Sequence, residues 1–275
     1  MKVRRMFVLL SLAIITNKVL SQEIIDYATA RASYQFSYKT NADLDTYDKN
    51  DLMYLDIGKT TSKFYSRYTQ IRDSVTAEGL KLRLSAEEIS KSRKGLKKGM
   101  NTAYYQDFSS NKTTVVSVFA SYGFIYDEKM ELPQWVIGNE EIDMNGYRCR
   151  KASASFLKRT WIAYFTSEIP FNKGPWKLWG LPGLIVQASD EENIFEFKMT
   201  GFELIKNQTP MIYTHTRNNG NEYKKTNKKI VSEYDKLFRD DFFSFTELIT
   251  GNKMVREGGL PLPNTHIDYV PLEPW

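Results

Sequence analysis

Ala28-Thr29-Ala30-Arg31-Ala32-Ser33-Tyr34-Gln35-Phe36-Ser37-Tyr38 alternates without interruption: Ala30, Ala32, Tyr34, Phe36 and Tyr38 share one parity, and Arg31, Ser33 and Gln35 take the other. Successive side chains of a strand point to opposite faces of its sheet, so the pattern predicts a half-buried strand. Two more are expected at 53–57 and 63–68, the second rich in Tyr and Phe, joined by Gly58-Lys59-Thr60-Thr61, a connection of hairpin length. An antiparallel meander fits this spacing.

Downstream the period changes. A helix is expected over 71–84, and Ser85-Ala86-Glu87-Glu88 is an S-x-x-E capping box ahead of a helix over 86–98 that Gly99 closes. Its Lys91, Arg93, Lys94, Lys97 and Lys98 lie towards the C-terminal end, where positive charge suits the helix dipole, and read as a solvated face. Strand signals dominate from 103 to 169 and are densest over 113–126. Asn145-Gly146 turns into a strand over 147–156, and Leu157-Lys158-Arg159 separates it from 160–165, which is apolar on both parities. Either protein covers both faces of that strand, or one face lines a concave surface. Further strands run to 189 and over 194–199, and Ile230, Tyr234, Leu237 and Phe238 recur at helical spacing, marking an amphipathic helix that lies on the sheet. The end, with Pro261, Pro263, Pro271 and Pro274, is an extended, proline-rich tail. The balance is α+β, mainly β, with one or two helices packed on an antiparallel sheet.

Lys2, Arg4 and Arg5 precede an apolar run over 6–15, and the small Ser21 follows it. This is the layout of a secretory signal over 1–21, which makes Gln22 the expected mature start and 22–275 a single exported domain. The apolar run is too short to span a bilayer, and no other approaches about 18 residues, so no transmembrane segment is expected. The only cysteine is Cys149, which excludes lipidation at the cleavage site. Cys149 is either a buried small hydrophobe or a thiol for another molecule. The formal charge of +5 falls to +1 once Lys2, Arg4, Arg5 and Lys18 are removed, so nucleic-acid binding has no electrostatic basis.

The most distinctive segment is Glu168-Ile169-Pro170, then Gly174-Pro175-Trp176-Lys177-Leu178-Trp179, then Gly180-Leu181-Pro182-Gly183-Leu184-Ile185. Pro182 and Gly183 are the residues of positions i+1 and i+2 of a type II turn, and the segment reads as a rigid turn feeding a strand. The string from Gly180 to Ile185 resembles the signature of the GLPGLI family of exported bacterial proteins. Cys149-Arg150-Lys151-Ala152, the 161–165 strand and Glu168-Ile169-Pro170 before Gly174-Pro175 are similar to that family's pattern. Leu178-Trp179 departs from it, where a phenylalanine and a glycine are expected. The resemblance implies export from a Gram-negative cell to the periplasm, the outer-membrane surface or the medium, one β-rich domain, and no established activity. It also implies a curved, bowl-like or half-barrel sheet, similar to the bowl-shaped domain that precedes the catalytic part of one type of bacterial peptide-N-glycosidase.

Chemistry is sparse. His215 and His266 stand far apart with no metal-binding spacing, there is no G-x-S-x-G elbow, and Cys149 sits mid-strand. No metal, cofactor or catalytic residue is assigned. Glu140-Glu141, Asp190-Glu191-Glu192 and Asp240-Asp241 supply paired acids, but adjacent acids in turns are commonly solvated charge. The remaining lead is aromatic: Trp161, Tyr164, Trp176 and Trp179 either fill the core or line a concavity for a glycan, an amphipathic ligand or an envelope protein. The leading expectation is an exported, non-enzymatic binding or envelope-accessory protein; the alternative is a glycan- or peptide-directed hydrolase whose site is assembled from scattered carboxylates.

Overall fold

A computed structural model describes residues 23–120, 122–213, 222–255 and 262–273; the expected signal segment and His215 lie outside them. In chain order the elements are β1 (Glu23–Tyr38), β2 (Lys49–Ile57), β3 (Thr61–Ser66), α1 (Arg67–Lys81), α2 (Ala86–Ser92), β4 (Thr102–Asp107), β5 (Lys112–Phe119) and β6 (Tyr122–Lys129). They continue with β7 (Val136–Met144), β8 (Tyr147–Phe156), β9 (Arg159–Thr166), β10 (Leu184–Asp190), β11 (Phe195–Tyr213), β12 (Lys224–Lys225), α3 (Lys228–Asp240) and α4 (Phe242–Thr250). The fold is α+β and mainly β. Its twelve described strands form one open sheet in the order β12-β6-β5-β4-β3-β2-β1-β11-β10-β9-β8-β7. Every pairing is antiparallel except that of the two-residue β12 with β6.

The alternation over 28–38 places β1 at the middle of this sheet, between β2 and β11. Its outward parity belongs to a row that crosses from β11 to β6: Glu203, Arg31, Asp56, Lys63, Tyr105, Thr114 and Asp127 stand in cross-strand register. Arg31 grips Asp56 through Nε at 2.6 Å and Nη2 at 3.1 Å, a bidentate pair that fixes register as well as charge. Its inward parity, Ala30, Ala32, Tyr34 and Phe36, is buried with Met53, Leu55, Phe64, Trp161, Phe165 and Phe197 in the main core.

The inner face is filled by the chain itself. The segment 167–183, between β9 and β10, buries Ile169, Trp176, Leu178 and Leu181 in that core, and Tyr34 donates its hydroxyl to the Ile185 carbonyl at 2.7 Å. This plug shows how far the sheet curves. β4 and β8 are seven strand spacings apart, about 34 Å if the sheet were flat. Yet Trp176 packs against Phe156 of β8 at 6.1 Å between ring centres, and the next residue, Lys177, lies 5.7 Å from the Tyr104 ring of β4. Helices α3 and α4 cover β5 and β6 through Val231, Phe238 and Phe245. The tail over 262–273 runs back across the molecule, where Arg159 donates to the carbonyls of Pro271 (3.0 Å) and Leu272 (3.4 Å).

Four local expectations change. Helix α1 starts at Arg67, capped by Ser66, so 67–68 belong to it and not to the preceding strand. The capping box forms as expected, but α2 ends at Ser92, because Gly95 adopts φ +84° and Arg72 donates to the carbonyls of Arg93 and Leu96, giving the chain a turn in place of further helix. Four helices are described where three are expected, and α4 is the addition: Phe242-Phe243-Ser244-Phe245 carries strand-like composition, while Asp241 caps it as a helix. Pro182 and Gly183 do not form a type II turn. Gly183 N–H donates to the Leu181 carbonyl at 2.8 Å, a γ-type turn, and the Leu184 N–H that a type II turn requires is taken by Ile169 at 3.1 Å.

Gly183 has φ +148°, and a Cβ there would lie 2.0 Å from the Thr166 carbonyl oxygen. Because the obstruction is backbone, Gly183→Ala and Gly183→Val are both expected to cost about 3 kcal/mol through overpacking and strain. Equilibrium unfolding in urea measures it; a midpoint unchanged for either variant would contradict this packing.

Candidate functional site

The four aromatics singled out in the sequence do not converge. Trp161 and Trp176 are fully buried with ring centres 5.5 Å apart, inside the core and not on the floor of an open concavity. The plug covers the parity of β9 that carries Trp161, Ala163 and Phe165, while Ile162 on the other parity is half-buried. Tyr164 is half-buried on the other face of β9, in register with Lys151 and Gln187. Trp179 alone reaches the surface among aromatic neighbours.

There Trp179 is held by a reciprocal clasp. Its Nε1–H donates to the Glu131 carbonyl at 3.0 Å, and Trp135 Nε1–H donates to the Trp179 carbonyl at 2.8 Å. Phe108, in the β4–β5 turn, meets Trp179 edge to face at 5.2 Å. Leu132, 48% exposed, packs over Gly180, where φ is +95° and a Cβ would lie 2.3 Å from Leu132 Cδ1. Phe108, Leu132, Trp135 and Trp179 therefore form a half-exposed aromatic band with its indole rings locked in place by backbone acceptors. Sequence reasoning reached only Trp179. The others come from strand connections far away in the chain, and Leu132-Pro133-Gln134-Trp135 was the one available hint, a second Pro-plus-Trp loop.

The carboxylates serve the fold. Asp190 is buried, accepts from the N–H groups of Ile194 (2.8 Å) and Phe195 (2.7 Å), and pairs with Arg159 at 3.1 Å. Asp241 caps α4, Asp240 pairs with Lys236, and Glu140 and Glu141 are exposed on β7. Burial pushes Asp51 up to about 6, although Met100 N–H and the Ser66 hydroxyl stabilise its ionised form, and it also raises Asp235 against the opposing effect of Arg239. Burial also raises the Cys149 thiol to about 11, with Glu168 adding to the effect; a thiol at that pKa is a small hydrophobe, not a nucleophile. His266 lies in the tail beside Asp240 and Asp268. A separate open cleft of about 400 Å³ is lined by Glu141, Asp143, Arg148, Arg150 and Glu168 near the β7–β8 turn. Among the described residues no cluster of three or more His, Cys, Asp and Glu is placed to hold a metal, and no helix is long and apolar enough to cross a membrane.

A family model described as "Protein of unknown function (Porph_ging)" matches residues 156–187, the stretch from the end of β8 through β9 and the plug into β10. No curated protein matches the chain. Among solved structures it is similar to PNGF-II in the P21 space group, with a TM-score of 0.51 and 12% identity over 77% of this chain and 34% of that one. PNGF-II in the C2 space group gives a TM-score of 0.48 at 12% identity over 75% and 32%. At this identity the likeness concerns the fold alone, and the chain spans about a third of the length of the protein it matches.

Proposed function

We propose that this chain is an exported protein of the GLPGLI type that acts by binding, with the aromatic band of Phe108, Leu132, Trp135 and Trp179 as its contact surface for an amphipathic or sugar-bearing ligand. The reciprocal indole clasp carries the reading. At the surface an indole N–H can bond to water, yet both of these are bonded to backbone carbonyls, and a ring so fixed presents a flat apolar face with little conformational entropy left to lose on binding. Export rests on the basic and apolar pattern of residues 1–21. It places the protein in the periplasm, on the outer-membrane surface or in the medium.

The alternative, a hydrolase, draws on the open cleft, whose lining brings Glu141, Asp143 and Glu168 together. The two readings separate by calorimetric titration with neutral oligosaccharides and with non-ionic detergents below their micelle concentration. Trp179→Ala and Trp135→Ala are expected to weaken binding at least about fivefold, while Glu168→Gln leaves it unchanged. Wild-type affinity in both tryptophan variants would remove the band from consideration. Protein recovered from its native host should begin at Gln22 by intact mass; a retained Met1 would contradict export.

A further inference from the structure

One part-buried cation lies beside the aromatic band with a ring face, and no carboxylate, against it. Lys173 sits on pinned backbone: its N–H donates to Phe171 at 2.8 Å, its carbonyl accepts from Ile185 at 3.0 Å, and the Asn172 carbonyl accepts from Gly180 at 3.0 Å. Its ammonium lies 2.9 Å from the centre of the Phe108 ring, the same ring that meets Trp179 edge to face. Several other shielded cations are matched by carboxylates: Arg31 by Asp56, Arg159 by Asp190, Lys177 by Glu128 and Glu273, and Arg239 by Asp235. Lys173 forms no ion pair within 4.0 Å among the described residues. The acid next to its ring, Asp107, is turned to the hydroxyl and amide groups of Ser109 and Ser110. Burial without a counterion holds the Lys173 amine down at about 8, so it is still mostly protonated at neutral pH.

A half-desolvated ammonium that has only a ring face beneath it gains more from an arriving anion than a solvated lysine does, because the pair forms in a medium of lower dielectric. The surface continuous with it is apolar: Phe108, then Trp179, then Leu132 and Trp135. Resting on the reading of this band as the ligand surface, we propose that its ligand is an amphipathic anion, with a carboxylate paired to Lys173 and an apolar body lying along Phe108, Trp179 and Leu132. Charge complementarity selects this occupant over a neutral amphiphile, which would leave the ammonium unmatched.

The test is calorimetric titration of the full mature chain with octanoate and with 1-octanol, which share an apolar body and differ in charge. Wild type should bind octanoate roughly tenfold more tightly than octanol, the effect of about one charge-assisted hydrogen bond. Lys173→Gln should bring the two affinities together, and Lys173→Arg should keep them apart. Equal affinity of wild type for the two probes, or a preference for octanoate that survives in Lys173→Gln, overturns the role of Lys173 and leaves the band standing as an apolar surface. Failure of the folded wild type to bind either probe overturns the band and the inference together.

Discussion

Trp176→Ala is expected to lower the free energy of unfolding by about 3–5 kcal/mol, and Trp179→Ala by only about 1 kcal/mol, although the two residues are three apart in one loop. Trp176 is fully buried against Trp161 and Phe156, so truncation empties a large volume in the centre of the core that rigid strands cannot close. Trp179 is half-exposed and gives up one hydrogen bond and part of a ring face. The backbone adds a sharper expectation. Trp176 has φ +56°, a left-handed conformation that disfavours any residue with a Cβ, so Trp176→Gly should be no less stable than Trp176→Ala, against the usual order. Urea unfolding of the three variants measures this. Equal losses at 176 and 179 would mean that the plug is not seated in the core as described.

Lys177→Met should cost a similar amount, about 3–5 kcal/mol, for an electrostatic reason. Lys177 is 6% exposed, and its ammonium lies 2.5 Å from Glu128 of β6 and 2.5 Å from Glu273 of the tail, while Lys228 of α3 pairs with the same two carboxylates. The arrangement is neutral only while both lysines are present. Removing Lys177 leaves two shielded carboxylates facing one ammonium, whereas the double variant Lys177→Met/Glu273→Gln removes one charge of each sign and should recover much of the loss. A double-mutant cycle reads the coupling. Burial pushes the Glu273 carboxyl up, but Lys177 and Lys228 outweigh it and hold the group below the usual carboxylate range. Its stabilising contribution is therefore present above its unfolded pKa and is lost as pH falls through the folded one. Acid should loosen the tail, and the double variant should be less sensitive in that window. A single variant as stable as wild type would show that the tail is not docked there.

What was legible in the sequence is what depends on local periodicity. The alternation over 28–38 is β1, the 147–156 strand is β8 at the same bounds, and Ser85 and Glu88 form their capping box. Less legible was anything decided by a partner distant in the chain. Pro182 and Gly183 at the heart of the 180–185 motif predict a type II turn, but Ile169 competes for the Leu184 N–H and alters its type. Apolarity on both parities of β9 admitted either an open concavity or protein over both faces; the structure seats Trp176 on the Trp161 face and leaves Ile162 and Tyr164 half-buried, a division that no local pattern marks. The band around Trp179 depends on Phe108 and Trp135, which three-dimensional folding brings beside it; only the Pro-plus-Trp loop at 132–135 carries a local mark.

The central place of β1 has a kinetic consequence. A chain that leaves the ribosome or crosses a membrane N-terminus first can pair β1 with β2 early, but the other edge of β1 must wait for β11, whose Phe195 is the partner of Tyr38. Until then a long strand with an apolar face presents a row of bare N–H and C=O groups, a template for the wrong partner. Pairings so far apart in sequence must meet loop-closure entropy before they return any contact energy, which makes folding slow and leaves the intermediate exposed. The tail arrives later still. In nascent form this protein is an incomplete sheet in search of its own eleventh strand, and a holdase that shields β1 until β11 has emerged would protect it at the step where it is most easily lost to aggregation.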